Sequence, residues 1–207
     1  MGYTWCVRFE ASELNDQLDG QLMGADVAFD GVSIDSRTTT TQNLFVPIVA
    51  ERDGHEFVPA AVGAGAAGYL SERGPVDGAM PNGSTVITVG NTSDALVDIG
   101  RRARRRLTGP VIGITGSVGK TSVKDLTWAA CRGALATHAS ERSFNNELGV
   151  PLTLANAPDD VVVTIVEMGA RGIGHIDQLC QIARPTIGVV TAVALDHSEL
   201  FGTLDAV

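Results

Sequence analysis

Val111-Ile112-Gly113-Ile114-Thr115-Gly116-Ser117-Val118-Gly119-Lys120-Thr121-Ser122 passes from an apolar β-type run, through a glycine loop, into residues 120–132, which read as a helix. Such a loop suits phosphate, because glycines let the backbone turn with its N–H groups inward and the helix start adds positive potential. Thr115, Gly116, Ser117, Val118, Gly119, Lys120, Thr121 and Ser122 form the expected cradle, with Lys120 reaching terminal phosphates and the Thr121 hydroxyl able to ligate magnesium. The usual pattern has a glycine where this chain has Ile114. Lys120 and Lys124 are the only lysines, so a function that needs an ammonium has few candidates.

Downstream, 161–166 reads as a buried-type strand, 173–182 as a helix and 187–193 as another strand, an alternation that argues for parallel βαβ units. Ligands in open α/β sheets bind at the carboxyl ends of the strands. Glu167 follows 161–166 at such an end, placed to ligate a metal, and Gly169 permits close approach of the backbone to a ligand. His197 follows the next strand at the same rim. Between the loop helix and Glu167 lie Asn145 and Asn146, whose amides either orient phosphate or substrate oxygens or cap the segment from Leu148 to Pro151.

Upstream, 91–107 reads as a helix capped by Thr92 or Ser93 and closed by Thr108-Gly109-Pro110, which puts a domain junction near Gly109. Before it, β-rich runs at 27–34, 44–49, 68–70 and 85–89 alternate with helical segments at 12–18 and 57–64, a smaller α/β unit. The run Arg101, Arg102, Arg104, Arg105 and Arg106 is either an anion patch or a set of cations at the negative end of that helix.

The chain has 207 residues, 44% hydrophobic and 19% charged, with 24 glycines, as befits a folded α/β protein. Fifteen basic against 24 acidic residues leave a net charge of -9, so binding to nucleic acid or an anionic membrane is not expected. Cys6, Cys131 and Cys180 are too few and too scattered for a disulfide framework, which suits a reducing cytoplasm. Glu10, Glu13, Asp16 and Asp19 stand where a secretory signal needs a basic start and an apolar stretch. No uncharged apolar run reaches the roughly 18 residues that a membrane span needs.

Together, Ile114 to Thr121, Phe144-Asn145-Asn146-Glu147-Leu148-Gly149-Val150-Pro151, Glu167-Met168-Gly169-Ala170 and Asp196-His197-Ser198-Glu199 resemble the Mur ligase family of peptidoglycan synthesis. The Ile114 departure is that family's variant of the loop. Val32-Ser33-Ile34-Asp35-Ser36-Arg37 and Asp53-Gly54-His55-Glu56-Phe57 look like its UDP-sugar-binding domain, so the resemblance runs from about residue 30 onward. It implies a small N-terminal α/β UDP-sugar-binding domain over 1–108, then over 109–207 the first part of a P-loop parallel-sheet ATPase domain.

The resemblance also implies ATP on the loop and two Mg2+ ions, one held with the help of Thr121 and Glu167 and a second served by Glu167 and His197. It gives catalytic roles to Lys120, Asn145, Asn146 and His197, and places Asp35, Ser36 and Arg37 at the uridine nucleotide. Phe144-Asn145-Asn146-Glu147 points to the branch that joins D-alanyl-D-alanine to UDP-N-acetylmuramoyl-tripeptide through an acyl phosphate, acting as a monomer. A family member adding a single amino acid, or a nucleotide- and UDP-sugar-binding module without turnover, are the alternatives. Ala192 stands where the family commonly has Asn, and no lysine follows Lys124 where the family has a carbamylated one. The chain therefore resembles the N-terminal half of such a ligase and is expected to be inactive alone.

Overall fold

A computed structural model describes residues 8–79 and 84–193. Two compact units divide between Ile99 and Gly100, inside a helix and ahead of Gly109.

The first unit holds β1 (Arg8–Glu10), α1 (Ala11–Gln17), β2 (Gln21–Met23), β3 (Ala28–Asp30), β4 (Val32–Ser33), β5 (Leu44–Phe45), α2 (Val58–Gly63), β6 (Gly68–Ser71), β7 (Thr85–Thr88) and the start of α3 (Thr92–Arg106). Its sheet has the order β2-β7-β6-β5-β4, parallel except for β2 at one edge. The run expected as one strand over 27–34 is two: Gly31 turns the chain with φ of 80°, so β3 pairs antiparallel with β1 while β4 joins the sheet. Phe45, Val58, Ala61, Tyr69 and Val86 fill the space between sheet and α2. The cap of α3 is Asn91, whose Oδ1 accepts from Asp94 N at 2.9 Å. Thr92, expected as that cap, turns inward and donates to the Pro47 carbonyl at 2.6 Å.

The second unit is a wholly parallel sheet of β8 (Val111–Thr115), β9 (Thr137–Ala139), β10 (Val163–Glu167) and β11 (Ile187–Val190) in the order β11-β8-β10-β9. Its connections are α4 (Lys120–Cys131), α5 (Gly149–Ala155) and α6 (His175–Ala183). The first crossover steps outward from β8 to β9 and the later two step back, so right-handed connections put α4 on one face and α5 with α6 on the other. Ile114, Val163 and Ile165 form the core under α4, joined by Val123 and Trp128. β10 begins at Val163, two residues later than the apolar run suggests: Val161 N closes a turn onto the Pro158 carbonyl, and Val162 N reaches across to the Ala136 carbonyl just ahead of β9. Glu167 is thus the last residue of the strand and not the first beyond it. No helix among the described residues is long and apolar enough to cross a membrane.

Candidate active site

Thr115 ends β8 and the chain turns through Gly116, with φ of 135°, and Gly119, with φ of 84°, into α4. A Cβ on Gly116 would run into Thr191 Oγ1, so the loop can lie this close to the end of β11 only with glycine there. Ser117 N donates to the Ala192 carbonyl at 2.7 Å, and Thr191 Oγ1 donates to the Val118 carbonyl at 2.6 Å. The contact at Ala192 is made by main chain. Gly119 offers no side chain to cap α4, leaving the first-turn N–H groups of that helix without an intrahelical partner. Lys120 folds back over the loop, with Nζ donating to the Gly116 carbonyl at 2.7 Å and the Ser117 carbonyl at 3.0 Å. Thr121 is half-buried on the first turn of the helix.

The register sets Glu167 opposite Ile114, so the carboxylate stands at the sheet edge from which Thr115 leads into the loop. Glu167 is only 1% exposed. Its Oε1 accepts from Asn145 Nδ2 at 2.9 Å, while Oε2 is buried with no hydrogen-bond partner. A buried carboxylate oxygen without a donor is costly, and a cation is the group that would complete it. Among the described residues no three His, Cys, Asp or Glu side chains cluster to cage a metal.

The two asparagines do different work. Asn145 orients Glu167, and its own carbonyl accepts from Gly169 N at 2.7 Å. Asn146 Oδ1 accepts from Leu148 N at 3.2 Å and Gly149 N at 2.8 Å, holding the entry to α5. A Cβ on Gly169 would come within 2.9 Å of Asn145 Cγ, so the glycine lets the chain pass close against that side chain. His197 lies outside the described residues.

Asp35, Ser36 and Arg37 sit in the first unit on an exposed turn. The Arg37 guanidinium grips the Asp35 carboxylate through Nε at 2.9 Å and Nη2 at 2.6 Å, which pushes the Arg37 pKa up. Arg104, from the arginine run, donates to the Ala183, Arg184 and Leu107 carbonyls and so caps the end of α6. Lys124, Ser140 and Thr191 support the site without having stood out as site residues. The available signal for Lys124 was a second lysine one turn beyond the loop lysine on the same helix.

Residues 114–207 match the Mur ligase middle domain family. A UDP-N-acetylmuramoyl-tripeptide--D-alanyl-D-alanine ligase from Synechocystis sp. is 39% identical over 184 residues, covering 87% of this chain and 40% of that protein. The ligase of the same name from Bacillus subtilis is 35% identical over 178 residues, covering 86% of this chain and 38% of its own length. Among solved structures, MurF from Acinetobacter baumannii superimposes with a TM-score of 0.84 at 26% identity, covering 97% of this chain and 44% of that one. MurF ligase from Thermotoga maritima, solved in complex with ADP, gives a TM-score of 0.70 at 29% identity, covering 85% of this chain and 40% of that one. The chain spans less than half the length of these relatives.

Proposed function

Because the chain belongs to the Mur ligase family, we propose that it supplies two parts of an ATP-dependent amide-bond-forming ligase. These are the UDP-substrate-binding domain over 1–108 and the nucleotide-binding part over 109–207. The ligase joins D-alanyl-D-alanine to UDP-N-acetylmuramoyl-tripeptide in the peptidoglycan synthesis of the cytoplasm. What supports the reading most is one juxtaposition: a glycine loop with Lys120 folded across it, beside a buried Glu167 with one oxygen to spare.

In this reading the Lys120 ammonium exchanges the Gly116 and Ser117 carbonyls for phosphate oxygens of ATP, while the first-turn N–H groups of α4 meet the remaining phosphate charge. The Thr121 hydroxyl and Glu167 Oε2 would hold one magnesium ion, and Glu167 with His197 would serve a second, which when bound would neutralise charge on the phosphates. Asn145 keeps the Glu167 carboxylate in one orientation, and Asn146 fixes the chain beside it by holding the start of α5. The transferred phosphoryl group activates the terminal carboxylate of the tripeptide. The dipeptide amine then attacks the acyl phosphate and releases phosphate. Asp35, Ser36 and Arg37 face the uridine nucleotide, with the charge of Arg37 secured by Asp35.

Phosphate release by the ligase that contains this chain tests the reading. It is expected only when ATP, UDP-N-acetylmuramoyl-tripeptide and D-alanyl-D-alanine are all present, and to fall at least a hundredfold in Lys120→Ala. Release that continues without either substrate would overturn it.

A further inference from the structure

The second lysine has no part in the scheme above, yet it is among the most buried charged groups in the molecule. Lys124 is 3% exposed. It lies one turn beyond Lys120 on α4, and its Nζ donates to the Ser140 carbonyl at 2.9 Å and the Arg142 carbonyl at 2.8 Å, with Asp125 Oδ1 at 3.2 Å. Three acceptors for three ammonium hydrogens make this a satisfied buried cation, and its main partners belong to the segment that leaves β9.

That segment leads straight to the carboxylate. Ser140 N donates to the Ile165 carbonyl at 3.0 Å, and Ser140 Oγ accepts from Glu167 N at 3.1 Å. Arg142 adopts a left-handed φ of 48°, uncommon for a residue with a Cβ, and its carbonyl in that conformation faces Lys124. A turn closed by Phe144 N on the Glu141 carbonyl then delivers Asn145, which donates to Glu167 Oε1. The helix that carries the loop lysine is therefore tied through one ammonium to the strand-end segment that orients the carboxylate.

We propose that Lys124 is a positioning residue that couples the phosphate loop to Glu167, holding residues 140–145 so that Asn145 presents the carboxylate with Oε2 free for a cation. The proposal rests on the nucleotide and metal reading given above. It differs from a general packing role in what it predicts. Losing the ammonium should cost the metal-dependent part of nucleotide binding and spare the part that the loop supplies by itself.

The test uses the 207-residue chain and its Lys124→Met variant, titrated with ADP in the absence and presence of Mg2+. The Asn145 side-chain amide is followed by 15N NMR in the ligand-free protein. Wild type is expected to bind ADP more tightly with Mg2+. Lys124→Met should keep metal-free ADP affinity within about twofold, lose about tenfold of the Mg2+ increment, and shift the Asn145 amide resonance. An unchanged Mg2+ increment, or equal weakening with and without Mg2+ while the Asn145 resonance stays put, would overturn the proposal. Should Lys124→Met fail to fold, Lys124→Gln, which keeps N–H donors but is neutral and one bond shorter, is judged by the same two readouts, with a smaller but measurable loss of the Mg2+ increment expected and no loss overturning the proposal. If wild type binds no ADP, the nucleotide reading fails. The Asn145 resonance then still decides whether Lys124 positions that side chain.

Discussion

At the scale of single residues, the site depends on how one carboxylate is dressed. Among the described residues Asn145 is the sole donor to the Glu167 side chain, so Asn145→Ala leaves both oxygens of a buried carboxylate without a partner there. Mg2+ affinity in the presence of ADP should fall about 10- to 100-fold while metal-free ADP binding holds, which titration calorimetry can read. A second residue sets the acid limit of the first unit. Asp53 receives hydrogen bonds from the His55 main chain and ring, and from Arg73, and these hold its carboxyl down from 3.8 to about 2. A carboxyl with a depressed folded pKa stabilises fully above the unfolded value and loses that contribution as pH falls through the folded one. Wild type should therefore lose stability between roughly pH 4 and pH 2, and Asp53→Asn should show a flatter denaturant midpoint over that window. Equal slopes would mean that Asp53 has no such linkage.

At the scale of elements, His138 on β9 makes the same kind of argument with the opposite charge type. Its Nε2 donates to the Thr153 carbonyl on α5 at 2.9 Å, and burial pushes the imidazole below its ordinary range. The unfolded chain takes up the proton first on acidification. The stabilisation is thus present above the usual histidine value and fades as pH drops below it. His138→Gln should flatten the stability profile between about pH 7 and pH 5, as thermal midpoints across that range would show. The elements also show what the sequence could and could not reveal. β8, the loop and α4 were legible because apolar run, glycine turn and helix follow one another without interruption from Val111 to Cys131. β9 was not, because Thr137–Ala139 is short, half-buried and carries a histidine, so no run of β-type residues marks it. Val161 and Val162 invited too long a strand, since residue type does not disclose that Val161 N closes a turn on Pro158 or that Val162 N bonds the Ala136 carbonyl ahead of β9. The two asparagines stayed ambiguous because capping and ligand orientation use the same amide. Only the fold shows that Asn146 holds the start of α5 while Asn145 turns to the Glu167 carboxylate.

At the scale of the whole molecule, the account assigns two ligand chemistries to two compact units, the nucleotide phosphates to the second and the UDP-linked substrate to the first. With a net charge of -9, the chain has no general attraction for either anion, so each must be held by local groups. Lys120 is the group on which the assignment turns, because the one other lysine is committed to the Ser140 and Arg142 carbonyls. Losing a charge-assisted contact of this kind costs about 1.5 to 3 kcal/mol of binding, roughly 10- to 150-fold. Calorimetric titration of Lys120→Ala with ADP and, separately, with UDP-N-acetylmuramoyl-tripeptide distinguishes the two units' ligands. ADP binding should weaken by at least about tenfold while binding of the UDP substrate is unchanged. ADP affinity near that of wild type would mean that Gly119-Lys120-Thr121 is only a turn into a helix, and would contradict the account.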